Sequence, residues 1–554
     1  MGGQVGRRRQ PLPAVLLAGL LFVGALAACG GSTGGATDNS PGSTPKQGGT
    51  YNYPLSAYPL AFDPAIYPWE GTVVLHQLYE GLVRYAEQPD GTLKTSPCLA
   101  ESWSGNADAT VWTFKLRRGV MFQEPVSREA TAADVVADVR YLADPAHECQ
   151  FSYMFAPIKG ANDDGYASPG RLGVQAIDRY TVRFTLKYPF SEFPDTLGNP
   201  AFWVWPADYL RKVGVKAYSR HPVGTGPYLF QRSTPGTSID LVRNPQWWDT
   251  SGGPYIDTIH YEVFSSISSM MLAFQKGLLD WTFVPNSQVA SSRSLPRVTS
   301  GDWQAVSTPR LNQTYLGMNM NNPLVGGQQG LPLRQALTYG CDRQAAIDAA
   351  SDGVYLVPTG LVPPGVPGSQ KVTEPYAHDP AKAAELLKQT GPVTLDLIYP
   401  SDPFRKALVE TLTASYAKIG ITIKPRGIAW NVYQSPESPI VSPGNKLQLF
   451  LFGWMADYPS MDNFLSPLFE SDSGPFGAGF YSNPQVDDLL SRARATPDQQ
   501  ARIQLYAEAE QKILADAPVI PLVVYADYRL TNSRVANVKF NSMGWADLWR
   551  AWVR

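Results

Sequence analysis

The residues that could carry chemistry form none of the local patterns that define a catalytic or metal-binding motif. No two of the five histidines are three or four residues apart, the spacing that places two imidazoles on one helical face as metal ligands. They are His76, His147, His221, His260 and His378. The sequence also contains no HExxH motif and no GxxxxGK[ST] phosphate loop. It therefore indicates no catalytic residues, no metal and no cofactor, although a catalytic triad assembled from distant residues would leave no local signature.

Charge and composition exclude two broad classes of protein. The chain has 554 residues, with 46 Lys and Arg against 48 Asp and Glu, so its formal net charge is −2. That balance excludes a basic nucleic-acid-binding protein, which needs excess positive charge to attract phosphates. With 44% hydrophobic and 17% charged residues, the chain is also unlike a highly charged disordered protein. Its length predicts roughly two to four domain-sized units with large cores.

The N-terminus has the pattern of a bacterial lipoprotein signal. Arg7–Arg9 precede an apolar run over 14–28, which is too short to span a membrane because a spanning helix needs about 20 residues. The run ends in Leu26-Ala27-Ala28-Cys29, which matches the lipobox, where the signal peptidase cleaves and the cysteine is lipidated. We therefore predict a signal peptide over 1–28 and lipidation of Cys29. An ordinary signal peptide followed by a chance cysteine is the alternative.

The segment that follows the predicted cleavage point reads as a flexible tether. Residues 29–47 are rich in Gly, Ser, Thr and Pro and show no hydrophobic periodicity. Cleavage removes three arginines and no acids, so the charge of the mature chain is 43 − 48 = −5. No later apolar run is long enough to span a bilayer. We expect a folded body held by a lipid at the outer face of the cell membrane.

Three cysteines remain after Cys29, and their surroundings differ. Cys98 and Cys149 lie in the same stretch of chain, and a location outside the cytoplasm permits a disulfide between them. Cys341 lies inside a helical pattern and is expected to be a buried thiol. The sequence has no CxxC motif, so it indicates neither a zinc ribbon nor a thioredoxin-type redox site.

Elements that could position a binding site alternate between strands and helices. Trp112, Phe114 and Leu116 alternate as in a strand, and Thr131 is a good N-cap for the helix that follows. Later, Asp379-Pro380 and Asp402-Pro403 each begin a helix, and a strand lies between those two helices. The near-continuous apolar run over 447–452 is typical of a strand that is buried on both faces. This alternation predicts an α/β fold with mostly parallel sheets.

Several segments together resemble one family, the extracytoplasmic solute-binding lipoproteins of ABC importers in the dipeptide/oligopeptide-binding class (family 5, cluster C). Each segment is weakly specific, but they occur in the family's order over most of the mature chain. They are FDP (62–64), LYEGLVRY (78–85), LAESWS (99–104), WTFKLRRGVMF (112–122), TAADVVADVR (131–140), VGTGPYLF (223–230), LVRNPQWWD (241–249), LRQALTYGCDR (333–343), HDPAKAAELL (378–387), GWMADYPSMDNFL (453–465) and YSNPQVDDLLSRA (481–493). Two departures are Glu124-Pro125 in place of a glycine and a longer loop at 435–445.

The resemblance implies a two-lobed, periplasmic-binding-protein-like type II α/β fold that closes on its ligand, with an extra subdomain in the first lobe. The crossovers between lobes are expected near Val284-Pro285 and Pro518–Pro521. The expected segments are the following: lobe I core, 48–75, 201–284 and 520–554; extra subdomain, 76–200; lobe II, 285–519.

The resemblance also implies how a peptide would be held. In this family a carboxylate after a Gly-Trp pair binds the peptide ammonium, and here that residue is Asp457. The backbone around Gly453 and Met455 would pair with the ligand as an added strand. Trp454 and Trp430 match ligand-facing tryptophans of the family. No residue is assigned to the peptide carboxylate, because Arg405 and Arg426 are candidates only by charge.

The resemblance implies a monomeric receptor that captures di- to oligopeptides and delivers them to an ABC permease with its ATPase subunits. The same scaffold binding an oligosaccharide, a metal-chelate or a haem-like group is the alternative, because aromatic residues reach 12% and the loop at 435–445 is altered. A lipid-anchored hydrolase is a third reading, and turnover of a bound peptide would reveal it. We expect no enzyme activity.

Overall fold

The computed structural model describes residues 44–554 except 60–61, 67–68, 169, 286–287, 373–374, 389, 436–437, 442–445 and 474–478. The predicted signal peptide, Cys29 and most of the tether lie outside the described residues, as does part of the loop at 435–445. None of the helices in the described ranges is long and apolar enough to cross a membrane.

The strands are, in chain order, β1 (Thr50–Leu55), β2 (Glu80–Gly81), β3 (Val83–Glu87), β4 (Leu93–Pro97), β5 (Ala100–Gly105), β6 (Val111–Leu116), β7 (Val174–Asp178), β8 (Thr181–Thr185), β9 (Trp203–Val204), β10 (Tyr228–Thr234), β11 (Ser238–Arg243), β12 (Thr258–Val263), β13 (Trp281–Phe283), β14 (Trp303–Met318), β15 (Val393–Pro400), β16 (Ile421–Ile428), β17 (Leu449–Met455), β18 (Val519–Asn532), β19 (Val535–Ala536) and β20 (Trp552–Val553).

The α-helices are α1 (Trp69–Leu75), α2 (Ala132–Leu142), α3 (Phe193–Thr196), α4 (Ala207–Val213), α5 (Val215–Tyr218), α6 (Ile267–Gln275), α7 (Val289–Ser292), α8 (Pro296–Thr299), α9 (Leu331–Tyr339), α10 (Arg343–Ser351), α11 (Pro380–Leu387), α12 (Pro403–Ala417), α13 (Trp430–Tyr433), α14 (Met461–Phe469), α15 (Pro484–Ala495) and α16 (Gln499–Asp516). Short 3-10 helices lie at Pro145–His147, Ser152–Phe155, Pro200–Phe202, Ser369–Lys371 and Leu548–Arg550.

Three sheets carry the architecture. The first lobe is built on a four-stranded sheet in the order β1-β12-β11-β10, and its subdomain carries a second four-stranded sheet in the order β5-β6-β8-β7. A six-stranded sheet in the order β13-β18-β14-β17-β15-β16 joins the strands expected in the second lobe to β13 and β18, most of which the expected segments assign to the first lobe. Two hydrophobic cores fill the molecule, one of which includes the first lobe and its subdomain. The predicted α/β class, with an extra subdomain, is present.

The prediction of mostly parallel sheets is wrong. Among the described strands, the parallel pairs are β1 with β12, β15 with β16, and β15 with β17, and the other pairs are antiparallel. Short loops join β5 to β6 and β7 to β8 in the subdomain sheet, so each of these pairs is antiparallel, and β6 also runs antiparallel to β8. In the second lobe, β14 runs antiparallel to both of its neighbours.

Several helix starts agree with the sequence because a cap is a local feature. Thr131 and Asp134 form a reciprocal capping box at the start of α2. The side chains of Asp379, Asp402 and Asn483 each accept a backbone N–H in the first turn of α11, α12 and α15. Proline follows each of these three caps, where its missing N–H removes no helical hydrogen bond. Those predicted helices are confirmed.

Cys98 and Cys149 do not form the disulfide that the sequence permitted, since both are free and buried. The Cys98 thiol lies 3.7 Å from Oε1 of the buried Glu80. Cys149 lies between two 3-10 helices of the subdomain, where its carbonyl oxygen accepts from the Tyr166 hydroxyl. Each thiol is therefore packed in its own surroundings. Cys341 is buried and forms no disulfide among the described residues, as predicted for a buried thiol.

The lobe boundaries given above stay a prediction, but the strands that would connect the lobes are visible. β13 ends just before the expected crossover at Val284-Pro285, and β18 begins at the other one. β14 and β18 pair along most of their length, and the register shifts near the middle. There Pro309 pairs with Ala526 and Gln313 pairs with Val524, so β14 has extra residues between the two pairs. An extra-residue bulge of this kind bends a strand.

Candidate functional site

Three parallel strands of the second lobe end at one edge of the sheet. β15 ends at Pro400, β16 at Ile428 and β17 at Met455. Asp402 and Arg405 follow the first strand, Trp430 follows the second, and Asp457 follows the third. Crevices at the carboxyl ends of parallel strands are where α/β sheets bind ligands. The candidate site is therefore this edge, together with whatever part of the first lobe faces it.

Asp457 is held by neutral hydrogen-bond donors. The Tyr153 hydroxyl donates to Oδ1 at 2.7 Å, and Nδ2 of Asn463 lies 3.4 Å from Oδ2. The backbone N–H of Asp457 donates to Oδ1 of Asn463 at 2.9 Å, which fixes the loop against the start of α14. No ion pair to Asp457 occurs within the described part of the chain. Burial raises the pKa of Asp457 to about 6, and the two hydrogen bonds offset only part of that effect.

The first lobe supplies the opposite wall of the site. Tyr153 belongs to a 3-10 helix of the subdomain, and Nδ2 of Asn199 donates to the Asp457 carbonyl oxygen at 3.0 Å. Close by, Oε1 of Glu192 accepts from the Ser460 hydroxyl at 2.6 Å and Oε2 accepts from the Tyr506 hydroxyl at 2.8 Å. These contacts join the subdomain to the second lobe beside the candidate site.

The backbone that leads to Asp457 has one unpaired side. Gly453, Trp454 and Met455 pair with Thr314, Gln313 and Asn312 of β14. On its other side β17 pairs with β15 only at Leu449 and Phe450, so no described strand pairs with that side of 453–455. Such an edge can accept an extended ligand as an additional strand.

Trp454 and Trp430 both line the edge, and each has other contacts in the protein. Trp454 is half-buried, and its indole N–H donates to Oδ1 of Asn463 at 3.2 Å. The Trp430 ring stacks on Tyr433 with ring centres 6.3 Å apart, and the Arg405 guanidinium lies 5.3 Å from the Trp430 ring centre. Both rings are thus oriented by the protein, and both keep part of their surface exposed.

Arg405 is the charged residue that the sequence could not select. Its side chain is 11% exposed, and its Nη1 donates to Oδ2 of Asp402 at 2.6 Å. Although burial lowers the pKa of Arg405, the nearby Tyr525 and Asp402 outweigh that effect, so it stays protonated. Its Nε and Nη2 have no hydrogen-bond partner in the described ranges, which leaves two donors for an anion.

Other partners of Asp457 were also missed. Asn463 has a usable signal, since it stands six residues after Asp457 in the first turn of the next helix. Tyr153 and Asn199 have none, because they lie more than 250 residues away in sequence. Among the described residues, no group of three or more His, Cys, Asp or Glu could hold a metal ion.

The chain is similar in sequence to known proteins. The family model described as "Bacterial extracellular solute-binding proteins, family 5 Middle" matches residues 94–476. The glutathione-binding protein GsiB of Salmonella choleraesuis is 31% identical over 468 residues, which cover 81% of this chain and 84% of that protein.

Solved structures show the same fold. DppA from Helicobacter pylori in complex with the peptide STSA superposes with a TM-score of 0.70 at 26% identity, covering 92% of this chain and 98% of that one. AgaA from A. tumefaciens R10 in complex with agropinic acid superposes with a TM-score of 0.68 at 24% identity, covering 91% and 99%. These likenesses show the two-lobed type II fold.

The raised pKa of Asp457 predicts a stability penalty that depends on pH. An unfolded aspartate has a pKa of about 3.9, so the folded chain binds this proton more tightly, and stability falls as the pH rises from about 4 through 6. We therefore compare the effect of Asp457→Asn on the free energy of unfolding at two pH values, without ligand. We expect that effect to be more stabilising at pH 8 than at pH 4 by about 2 kcal/mol. Thermal unfolding at the two pH values measures this difference. An Asp457→Asn effect that is the same at both pH values would contradict it.

Proposed function

Because the chain belongs to the bacterial extracellular solute-binding proteins of family 5, which serve ABC importers, we propose that it captures short peptides between its lobes and delivers them to a membrane permease. The observation that carries this proposal is Asp457, a partly buried carboxylate that has only neutral partners among the described residues. A buried charge without a partner is costly, and a ligand ammonium would supply the missing cation.

The unpaired side of β17 gives the peptide backbone its place. A peptide whose ammonium binds Asp457 would run beside Gly453 and Met455 and exchange main-chain hydrogen bonds with them. Gly453 lies close to β14, because a Cβ added at this position would be 3.0 Å from the Gln313 carbonyl oxygen and 3.4 Å from the Thr314 hydroxyl oxygen. Main-chain pairing does not read side chains, so we propose a broad selectivity along this part of the ligand.

Arg405 is our candidate for the peptide carboxylate. It follows β15, the strand that lies beside β17, so the cation and Asp457 stand at neighbouring strand ends. Strands are about 5 Å apart, and a short peptide can therefore bridge the two groups with its opposite terminal charges. The names of the curated relatives, which are glutathione-binding proteins, and the peptide bound to DppA support this size of ligand.

Closure would use the contacts that already join the lobes. We propose that the bulge in β14 between Pro309 and Gln313 lets the lobes move, and that Tyr153 and Asn199 return to the Asp457 loop when they close. In this structure the Tyr153 hydroxyl donates to Oδ1 of Asp457, and the ligand ammonium would share that carboxylate with it or replace it. The permease, its ATPase subunits and a monomeric receptor are part of the same proposal, and we expect the peptide to be released intact.

Removing the Asp457 carboxylate should weaken peptide binding strongly. We expect Asp457→Ala to cost roughly 2–5 kcal/mol, as when one partner of a buried charge pair is lost. Isothermal titration with a tripeptide measures the difference. Asp516→Ala is the matched control, because the Asp516 carboxylate also accepts hydrogen bonds from a tyrosine and an asparagine. The Tyr481 hydroxyl donates to it at 2.7 Å and the Asn483 amide at 2.9 Å, and all three residues lie away from the candidate site. Equal affinities of wild type and Asp457→Ala would contradict the role.

The role of Arg405 is tested with paired ligands. We expect wild type to bind a tripeptide with a free C-terminus about tenfold or more tightly than its C-terminal amide, since a charge-assisted hydrogen bond contributes roughly 1.5–3 kcal/mol. Arg405→Met should reduce that ratio to near one, whereas Arg426→Met, at an exposed arginine of β16, should keep it. A ratio near one in the wild type would exclude Arg405 as the carboxylate-binding residue.

Attachment to the membrane rests on the sequence pattern around Cys29. We propose that this cysteine carries lipid after removal of 1–28 and that the tether lets the body reach the permease. Metabolic labelling with a fatty acid should mark the wild type, and Cys29→Ala should abolish the label. A labelled Cys29→Ala variant would contradict lipidation at this residue.

A further inference from the structure

A second recess opens in the first lobe beside the candidate site. It is an open recess of about 540 Å³, a volume that includes the solvent at its mouth, and aromatic rings form much of its wall. The rings are Tyr79, Tyr85, Trp203, Trp247, Trp545 and Trp549. Its polar lining includes His76, Glu80, Arg84 and Asp547. None of these residues takes part in the binding of the peptide termini described above, so this aromatic recess has no role yet.

The aromatic recess adjoins the place where the peptide ammonium would lie. Tyr85 and Gly198 line it, and the residue after Gly198 is Asn199, whose side chain binds the Asp457 carbonyl oxygen. Burial raises the pKa of Tyr85, and the carboxylates of Asp195 and Asp457 raise it further, which places Tyr85 within the field of Asp457. The side chain of the first peptide residue would start next to this opening.

One acid of the recess keeps a carboxylate oxygen without a partner among the described residues. Nε2 of His76 is 3.1 Å from Oδ1 of Asp547, while Oδ2 has no partner in the described chain and the Asp547 side chain is 43% exposed. Although burial raises the pKa of Asp547, His76, Arg84 and Arg550 lower it below its ordinary value, so Asp547 is ionised at neutral pH. One carboxylate oxygen is thus open to a ligand.

Arg84 does not cancel this negative charge. It pairs with Asp249 at 3.3 Å. Although burial lowers the pKa of Arg84, the neighbouring Cys98, Asp547, Glu80 and Asp249 raise it above its ordinary value, so Arg84 stays protonated. The Arg84 guanidinium also lies 5.1 Å from the Trp549 ring centre, so a ring of this wall already contacts a guanidinium.

Two buried polar atoms add hydrogen-bonding capacity. Nε1 of Trp545 and Oε1 of Gln77 have no hydrogen-bond partner among the residues described, although both residues line the recess and are more than nine-tenths buried. Buried polar atoms of this kind are normally satisfied by protein, water or ligand. The recess therefore combines rings, an open carboxylate oxygen and unsatisfied polar atoms.

We propose that the aromatic recess binds a positively charged side chain on the first residue of the peptide, with Asp547 as its counter-ion and the tryptophan rings as cation–π partners. This inference rests on the proposed function, since it takes the ammonium to be at Asp457. It makes the receptor selective at the first residue and permissive along the backbone that follows.

The test compares two ligands that differ only in charge. Arginyl-glycyl-glycine and citrullyl-glycyl-glycine have nearly the same shape, and only arginine is a cation. Isothermal titration of the mature protein should show that the arginyl peptide binds roughly tenfold more tightly. Asp547→Asn should reduce that ratio to near one. Asp257→Asn is the matched control and should keep it, because Asp257 pairs with Arg243 at 3.2 Å and is 51% exposed, but lies outside the recess.

Each other outcome has a distinct meaning. Equal binding of the two peptides by wild type, or an unchanged ratio in Asp547→Asn, would overturn the role of the recess and leave the proposed function intact. Tighter binding of tryptophanyl-glycyl-glycine than of the arginyl peptide would mean that the recess prefers a neutral aromatic side chain. That result would overturn the proposed preference for a cation. If the wild type binds none of these peptides and does not bind triglycine either, the proposed function and this inference are both overturned.

Discussion

Burying the Asp457 carboxylate costs free energy, and the residues around it offset only part of that cost. A tyrosine hydroxyl and an asparagine amide approach its oxygens, and the chain brings no cation to it within the described ranges. The raised pKa expresses that deficit. A protein that kept such a group only for stability would do better with a neutral side chain. Under the proposed function, a ligand ammonium would supply the missing positive charge, and binding would then regain free energy that folding lost.

The rest of the structure can be understood as the support of that carboxylate. Parallel pairing of β15 with β16 and β17 brings three strand ends to one edge, and the loops that follow place Arg405, Trp430 and Asp457 there. The early departure of β15 from β17 leaves a backbone edge for a peptide. The subdomain of the first lobe closes the site through Tyr153 and Asn199. Under the proposed function, recognition of both charged termini of a peptide and of the backbone between them would need few side-chain contacts.

Local features of the fold were readable from the sequence, and features that depend on distant parts of the chain were not. The caps at Asp402 and Asn483 involve residues a few positions apart, so the helices they begin were predicted correctly. Strand direction depends on partners far along the chain, and the proportion of parallel pairs was overestimated. Arg405 could be recognised only once β15 and β17 were seen to end together. Asp457 itself was selected by family resemblance, and its ligand role stays a prediction.

The most direct measurement is the identification of the small molecule that accompanies the natively purified protein without residues 1–29. The protein is denatured, and the released compounds are analysed by mass spectrometry beside the same preparation of Asp457→Ala. The account predicts short peptides with a free ammonium terminus from the wild type and their loss from the variant. Release of a sugar, a metal-chelate or a haem-like compound, retained equally by the variant, would contradict it, because the fold would then hold its ligand without the Asp457 charge.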